Sequence, residues 1–452
     1  MSRSNDPHLL GTDKLGKLLL QYSIPAIIGM TLVSLYHIID SIFIGHGVGV
    51  EAISGLAVTF PLMNLIMAFC TLVGSGGSTI ASIRLGQKDL NAATEILNNT
   101  FMLSIINSVF CSILALIFLD TILIYFGASE VTLPHAREFM QIILLGIPVG
   151  HTMISLNNVM RATGYPMKAM LTSLVTVVIN VILAPLFIFY FEWGMRGAAL
   201  ATVISQFIGM VWVVSHFLNK KSYVRFSNDF WRMKLRIVLN IFSIGMPSFL
   251  MNVCTCLIVI VINNSLKEHS GDLAIGAYGI INRLLTLYTM VVLGLTLGMQ
   301  PIIGYNFGAL NMIRVKKTLK LGLVTGVLIT TSGFLLFELF PEAVSSMFTK
   351  DETLIRIASS GLRLSSIMFA TVGCQIVIAN FFQSIGKAKI SIFLSLCRQL
   401  VYLLPCLLIL PGYWGVDGVW ASMSISDGLA FFTAVIALTL FLRKNKFNSS
   451  LQ

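Results

Sequence analysis

Apolar residues in this 452-residue chain gather into long runs separated by short polar stretches. Runs at approximately 18–44, 52–80, 96–119, 139–160, 168–191 and 197–218 are each long enough to cross roughly 30 Å of hydrocarbon as a helix of about 20 residues. Six more follow near 238–262, 273–303, 319–340, 355–380, 390–411 and 416–442. Backbone polar groups inside a bilayer must be satisfied within the segment, so the pattern predicts an all-α integral membrane protein with twelve transmembrane helices.

The second six runs repeat the first. Pro25 recurs as Pro247, Gly86 as Gly308 and Gly164 as Gly386, all at one common offset, and Gly197 recurs one position short of that offset as Gly418. Ungapped matches between 52–92 and 274–314, among them Ala52/Ala274, Leu62/Leu284, Gly76/Gly298 and Ile80/Ile302, keep the same register. The repeat predicts two copies of one bundle: an N-lobe over 1–218, a linker over 219–236 and a C-lobe over 237–452. An even number of spans per copy brings both copies into the membrane in the same direction, which makes them parallel repeats.

Composition agrees with this reading: 56% of residues are apolar and only 11% charged, against roughly 25% charged in soluble proteins. The net charge of +11 follows topology and is not a nucleic-acid signal. With the N-terminus cytoplasmic, only Arg137, Arg196, Lys267, Lys350 and Arg356 of the 30 lysines and arginines fall in outer loops, and Arg283 and Arg363 fall within apolar runs. All the others are inside, so the positive-inside bias predicts cytoplasmic termini. The linker, NKKSYVRFSNDFWRMKLR, carries Tyr223, Phe226, Phe230 and Trp231 among cations. It suits an amphipathic segment on an anionic inner leaflet, or equally a basic stop between two spans.

Several function classes are excluded. All seven cysteines lie in apolar runs, which implies no disulfide framework, and Cys254 and Cys256 point to opposite sides of a helix, so no metal site is expected. GTDKLGK at 11–17 has phosphate-loop spacing but places Leu18 where Ser or Thr should ligate magnesium, and no soluble domain is long enough to hydrolyse ATP. No cofactor is expected. The polar stretch at 1–17 and the length of the first run argue against a cleaved signal peptide.

Two features bear on conformation. Pro25 and Pro247 lie near the cytoplasmic ends of the first span of each copy, where proline either starts a helix or bends one, making these spans candidates for moving parts. Gly86 and Gly308, in RLGQKDLNAA and NFGALNMIRV, are expected just past helix ends as left-handed caps.

The most informative polar residue is Asp40, in SLYHIIDSIFIG of the first span. A carboxylate there is costly and is retained mainly where it binds a cation or relays a proton; the alternative is a solvated position close to the outer loop at 45–49. Asn180 and Thr202 fall at similar depth on the fifth and sixth spans, and their oxygens with the carboxylate suit a proton or a hard cation. His37, three residues before Asp40, is placed to tune that site or to bond a neighbouring helix. In the second half, Arg283, Arg363 and Asp427 are the intramembrane charges, and an ion pair using Asp427 is the expectation. Met30, Tyr36, Met63, Met67, Phe69 and Met153 offer pliable walls for a lipophilic ligand, or ordinary core.

The N-V-I-L-A-P run at 180–185, the G-x-x-G-A-A-L-A-T stretch at 194–202, and the runs Y-G-I-x-N-R at 278–283 and Q-P-I-x-G-Y-N-x-G-A at 300–309 resemble the MATE (multidrug and toxin extrusion) transporters, over essentially the whole chain. Within that family the chain looks most like the bacterial branch with a first-helix aspartate. The resemblance implies a cation-coupled antiporter of a bacterial cytoplasmic membrane, a monomer among lipids that expels amphipathic, often cationic, compounds by rocking its lobes. It carries cation coupling onto Asp40, Asn180 and Thr202. Many relatives have a second aspartate before the fifth-helix proline, where this chain has Ala184, and its absence favours protons over sodium. The rival within the superfamily is a lipid-linked oligosaccharide or polysaccharide flippase; a membrane-embedded receptor or enzyme lacks any visible nucleophile cluster, metal ligands or soluble domain.

Overall fold

The computed structural model describes residues 9–220, 222–227, 231–349 and 351–444, except the side chains at 33–38, 42, 45, 46, 50, 53, 267, 269–272 and 444. Among these residues all regular structure is helical. The first half contains α1 (Leu15–Gly47), α2 (Val50–Gly86), α3 (Leu90–Ile117), α4 (Thr132–Ala162), α5 (Pro166–Pro185) and α6 (Gly194–Leu218). The second contains α7 (Leu235–Leu266), α8 (Leu273–Gly308), α9 (Met312–Leu339), α10 (Glu352–Ser366 and Phe369–Ser384, meeting at 52°), α11 (Ala388–Trp414) and α12 (Val416–Arg443). Eleven apolar helices and one bent pair thus supply the twelve expected spans.

The helical assignment is unbroken from Leu235 to Gly308, which would extend about 110 Å if straight. The chain nevertheless reverses, because Ile241 and Tyr305, near its two ends, both press on the same half of α2, at Gly76 and Gly86.

The repeat extends to details of the backbone. Asp89 caps α3 by accepting from the Ala92 amide at 2.9 Å, and its counterpart Asn311 caps α9 through the Arg314 amide at 3.3 Å. Lys88 and Leu310, also counterparts, both adopt left-handed φ, 62° and 57°, at a cost of roughly 1–2 kcal/mol each. Gly164 and Gly386 close α4 and the second half of α10 with φ of 106° and 74°. Gly86 and Gly308, by contrast, are the last helical residues of α2 and α8, so the left-handed role expected of them falls two residues later. Pro25 lies ten residues inside α1, which makes it an interior proline and not a helix start.

The buried apolar residues form a forked core. One large cluster joins both halves, running from Leu18 and Val73 through Ile241, Ile302 and Phe381. A second belongs to the first half alone, with Ile44, Leu56, Leu144, Ala184 and Ala198, and a third to the second half alone, with Ala277, Ile280 and Ala358. The shared cluster takes in Leu10, Leu85 and Tyr305 at the terminal face and continues through the second lobe to Leu266, Ala274 and Trp420. The cluster of the first half alone surrounds the ends of α1 and α5 away from the termini.

The linker folds back on the first lobe. Lys234 donates its backbone amide to Asn99 Oδ1 at 2.9 Å and its ammonium to Glu95 Oε1 at 2.5 Å, while Asn98 bonds Ser227 at 2.7 Å. Phe226 packs between Phe101 and Phe217, whereas Tyr223 and Trp231 remain exposed. Phe230 lies outside the described residues.

Candidate coupling site and the closed face of the cleft

Asp40 sits seven residues before the end of α1 and is 5% exposed. Its Oδ1 is sealed from solvent and has no hydrogen-bond partner. Burial displaces the solvated alternative. Beyond it α1 continues to Gly47, where an added Cβ would meet Ile188 and Phe189 just past the end of α5, and Phe43 meets Phe189 edge-on at 6.3 Å. An apolar plug therefore lies between Asp40 and the face opposite the termini.

α1 packs along α5 and touches α6. On these two helices Asn180 and Thr202 are both buried, and Asn180 Nδ2 donates to Thr202 Oγ1 at 3.3 Å. The hydroxyl in turn donates to the Ala198 carbonyl at 3.2 Å, which fixes its lone pair toward the amide. The structure thus joins two of the three expected oxygen ligands directly and places the third, Asp40, on the helix packed against them. An unpartnered carboxylate oxygen in a dry interior costs several kcal/mol, relieved when a proton or cation binds. Ala184 is fully buried in the apolar cluster, so its position adds an alkyl contact and no ligand. The His37 side chain lies outside the described residues.

At the terminal face, α2 and α8 meet as near-equivalent partners about a pseudo-two-fold axis. Gly86 abuts the Tyr305 carbonyl and Gly308 the Ile83 carbonyl; residues 305 and 308 are the repeat counterparts of 83 and 86. Gly304 packs on Ser82, and Gln300 bonds Ser78 at 3.4 Å; each pair consists of a residue and its own counterpart, which marks the axis. Only glycine permits this approach, since a Cβ at 86 or 308 would overlap a backbone oxygen.

Amides fasten the remainder of this closed face. Gln300 also donates to Thr79, and Gln383 reaches Ser248 Oγ and the Ile244 carbonyl, both at 3.0 Å, and Ser75 at 3.3 Å. Asn252 bonds Thr71 at 3.3 Å, and above it Phe69 and Phe249 pair at 4.9 Å. This aromatic pair is a further contact between the two lobes. Of the expected wall residues, Met67 is exposed, whereas Met153 lies inside the first lobe against Thr176.

The MatE family profile matches residues 25–186 and 247–408, two segments displaced by the same offset as the repeat. The chain belongs to the MatE family. It is 28% identical over 419 residues to the multidrug export protein MepA of Staphylococcus haemolyticus, covering 93% of this chain and 92% of that one. MepA of Staphylococcus aureus (strain MRSA252) is likewise 28% identical, over 425 residues. Among solved structures, the MATE multidrug transporter DinF-BH shares 34% identity and superposes with a TM-score of 0.89 over 98% of both chains. An outward-facing MATE transporter of the MOP superfamily, 23% identical, shares the fold with a TM-score of 0.92, covering 98% of this chain and 99% of that one.

This MatE chain is accordingly a multi-pass membrane transporter and not an enzyme. Its C-lobe charges differ from expectation. Asp427, on α12, pairs with Arg398 at 2.7 Å and not with Arg283 or Arg363. Arg398 belongs inside α11, ten residues beyond Ala388, and not in the preceding loop; a π-helical turn at Cys397–Leu403 widens the helix around it. Breaking a buried pair strands its partner, so Arg398→Ala is expected to destabilise the MatE protein by about 3–5 kcal/mol. Arg398→Met with Asp427→Leu should recover most of that loss. Detergent melting curves check both, and a single variant that melts like the parent removes the pair from the stability account.

The apolar pattern singles out neither Gln383 nor Gln300. For Gln300 a signal was present: Ser78 is its counterpart in the repeat, and a polar residue whose counterpart is also polar belongs near the pseudo-axis. His151 is not singled out either; it is 5% exposed on α4 with neither ring nitrogen hydrogen-bonded.

Proposed function

We propose that this chain is a multidrug efflux antiporter of a bacterial cytoplasmic membrane, expelling amphipathic and often cationic compounds in exchange for protons. The observation that carries the coupling is Asp40, a sealed carboxylate without a partner on Oδ1, on a helix packed against the Asn180–Thr202 pair. The names of the MepA relatives and of DinF-BH support the export of chemically varied compounds. Protons are favoured over sodium because Ala184 leaves the site with one formal negative charge, and hard cations gain from each added carboxylate.

In this reading the termini are cytoplasmic, following the distribution of lysine and arginine, so the closed glycine face is the inner gate and the cleft opens outward. Substrate leaves through the cleft while a proton reaches Asp40. Protonation releases α1 from the constraint of an unpaired carboxylate, the lobes reclose on the outer side, and the inner gate opens to admit the next substrate. Each lobe moves as a body, with the boundary in the linker at 219–236.

Reconstituted vesicles with an imposed proton gradient and a fluorescent lipophilic cation test this. Dye should move against its own gradient when protons run inward, and a sodium gradient alone should not drive it. Movement driven by sodium alone would reassign the coupling ion, and translocation of a lipid-linked sugar without dye movement would replace the reading by a flippase.

A further inference from the structure

The side chains of Arg356 and Arg363, the latter released from its expected pairing with Asp427, have no ion-pair or hydrogen-bond partner among the described residues. With Ser359 and Ser360 they occupy positions i, i+3, i+4 and i+7 on the first half of α10, one continuous stripe. The stripe lines a cavity of about 430 Å³ with Glu342, from the short helix Pro341–Ser346, and Leu364. Ser359 is 6% exposed, and its Oγ is sealed and has no partner.

Leu364 also lines a second cavity, an apolar groove of about 320 Å³ between α10 and α12. Its walls include Ile367 and Met368 at the 52° break and Ile425, Leu429 and Phe432 on α12. From Ala421 to Phe432 the groove runs about 16 Å down α12, away from the face opposite the termini. A polar cavity with two guanidiniums and one carboxylate therefore lies beside an apolar groove, with Leu364 common to both.

We propose that this is a binding site for a phospholipid whose headgroup carries both a phosphate and a primary ammonium. The phosphate lies between Arg356 and Arg363, which supply forked charge-assisted donors, and takes the orphaned Ser359 hydroxyl as a further donor. The ammonium pairs with Glu342, and one acyl chain fills the groove from Leu364 to Phe432. Charge selects this lipid over a purely anionic one, because an anionic headgroup leaves Glu342 facing like charge. Arg363 lies eleven residues into α10, a depth where an arginine without a counter-ion is expensive, and the phosphate supplies that counter-ion.

The test is native mass spectrometry of the full-length protein delipidated and then exchanged into mixed micelles of defined phosphatidylethanolamine or phosphatidylglycerol. The parent should retain the ethanolamine lipid at least tenfold better than the glycerol lipid. Arg356→Gln with Arg363→Gln should lose retention of both. Glu342→Gln, a change at an exposed residue, should keep phospholipid but lose the preference. Equal retention of the two lipids by the parent overturns the headgroup assignment, and retention by the double arginine variant equal to the parent overturns the site.

Discussion

Asp40→Asn is expected to reduce gradient-driven dye transport to the level of protein-free vesicles. Asparagine preserves shape and hydrogen-bonding capacity but can neither release a proton nor carry the charge that the proposed mechanism neutralises. Coupling is a free energy shared between two ligands, and it is reciprocal: if a proton at Asp40 weakens substrate binding, substrate must discourage the proton equally. Typical coupling of about 1–3 kcal/mol corresponds to about 5–150-fold in affinity. Dye affinity of the parent should therefore fall by about that factor when the medium is acidified, whereas Asp40→Asn should bind dye with one affinity at both pH values. Equilibrium fluorescence titration in detergent separates this from misfolding, because the variant must still bind. A variant with parental transport and a parental pH shift in affinity would remove Asp40 from the mechanism.

What the sequence shows and what it conceals divide along the same physical line. The spans and the duplication are legible because bilayer thickness imposes their length and register on the apolar pattern. Asp40 is legible because a carboxylate in such a run has few alternatives, and Asn180 and Thr202 because the motifs that carry the family resemblance include them. Partner choice among buried charges is not legible. Arg398 lies inside the run at 390–411 but is counted with the inner basic residues because Lys387 and Lys389 are near, and α11 carries it beside Asp427. Arg363 is thereby freed, an outcome fixed by helix rotation and not by composition. Gly86 and Gly308 are misread for a related reason: a glycine at a helix end serves equally for a left-handed φ or for close approach of another backbone. Only the position of the other lobe decides between them.

That second use of glycine predicts how the gate responds to added volume. A Cβ at Gly308 would overlap the Ile83 carbonyl, and one at Gly86 would overlap the Tyr305 carbonyl, so neither backbone can yield without moving a whole helix. Overpacking of this kind costs roughly 1–3 kcal/mol. The cost falls only on the state in which the terminal face is closed, since the contacts join different lobes. Gly308→Val should therefore shift the equilibrium toward the state open at that face by about 5–150-fold and lower transport accordingly. Because the pseudo-axis makes the two contacts equivalent, Gly86→Val should do the same. Gly412→Ala, with nothing within 4 Å of the added carbon, should do neither. Thr79→Cys, fully buried at the closed face beside Gln300, reports the shift through its rate of labelling by a polar maleimide. Faster labelling in both valine variants is the expected result. Unchanged labelling with lost transport would mean that the glycines serve the fold of each lobe and not the closure between them, and that the reciprocal contacts at 83, 86, 305 and 308 are not the gate.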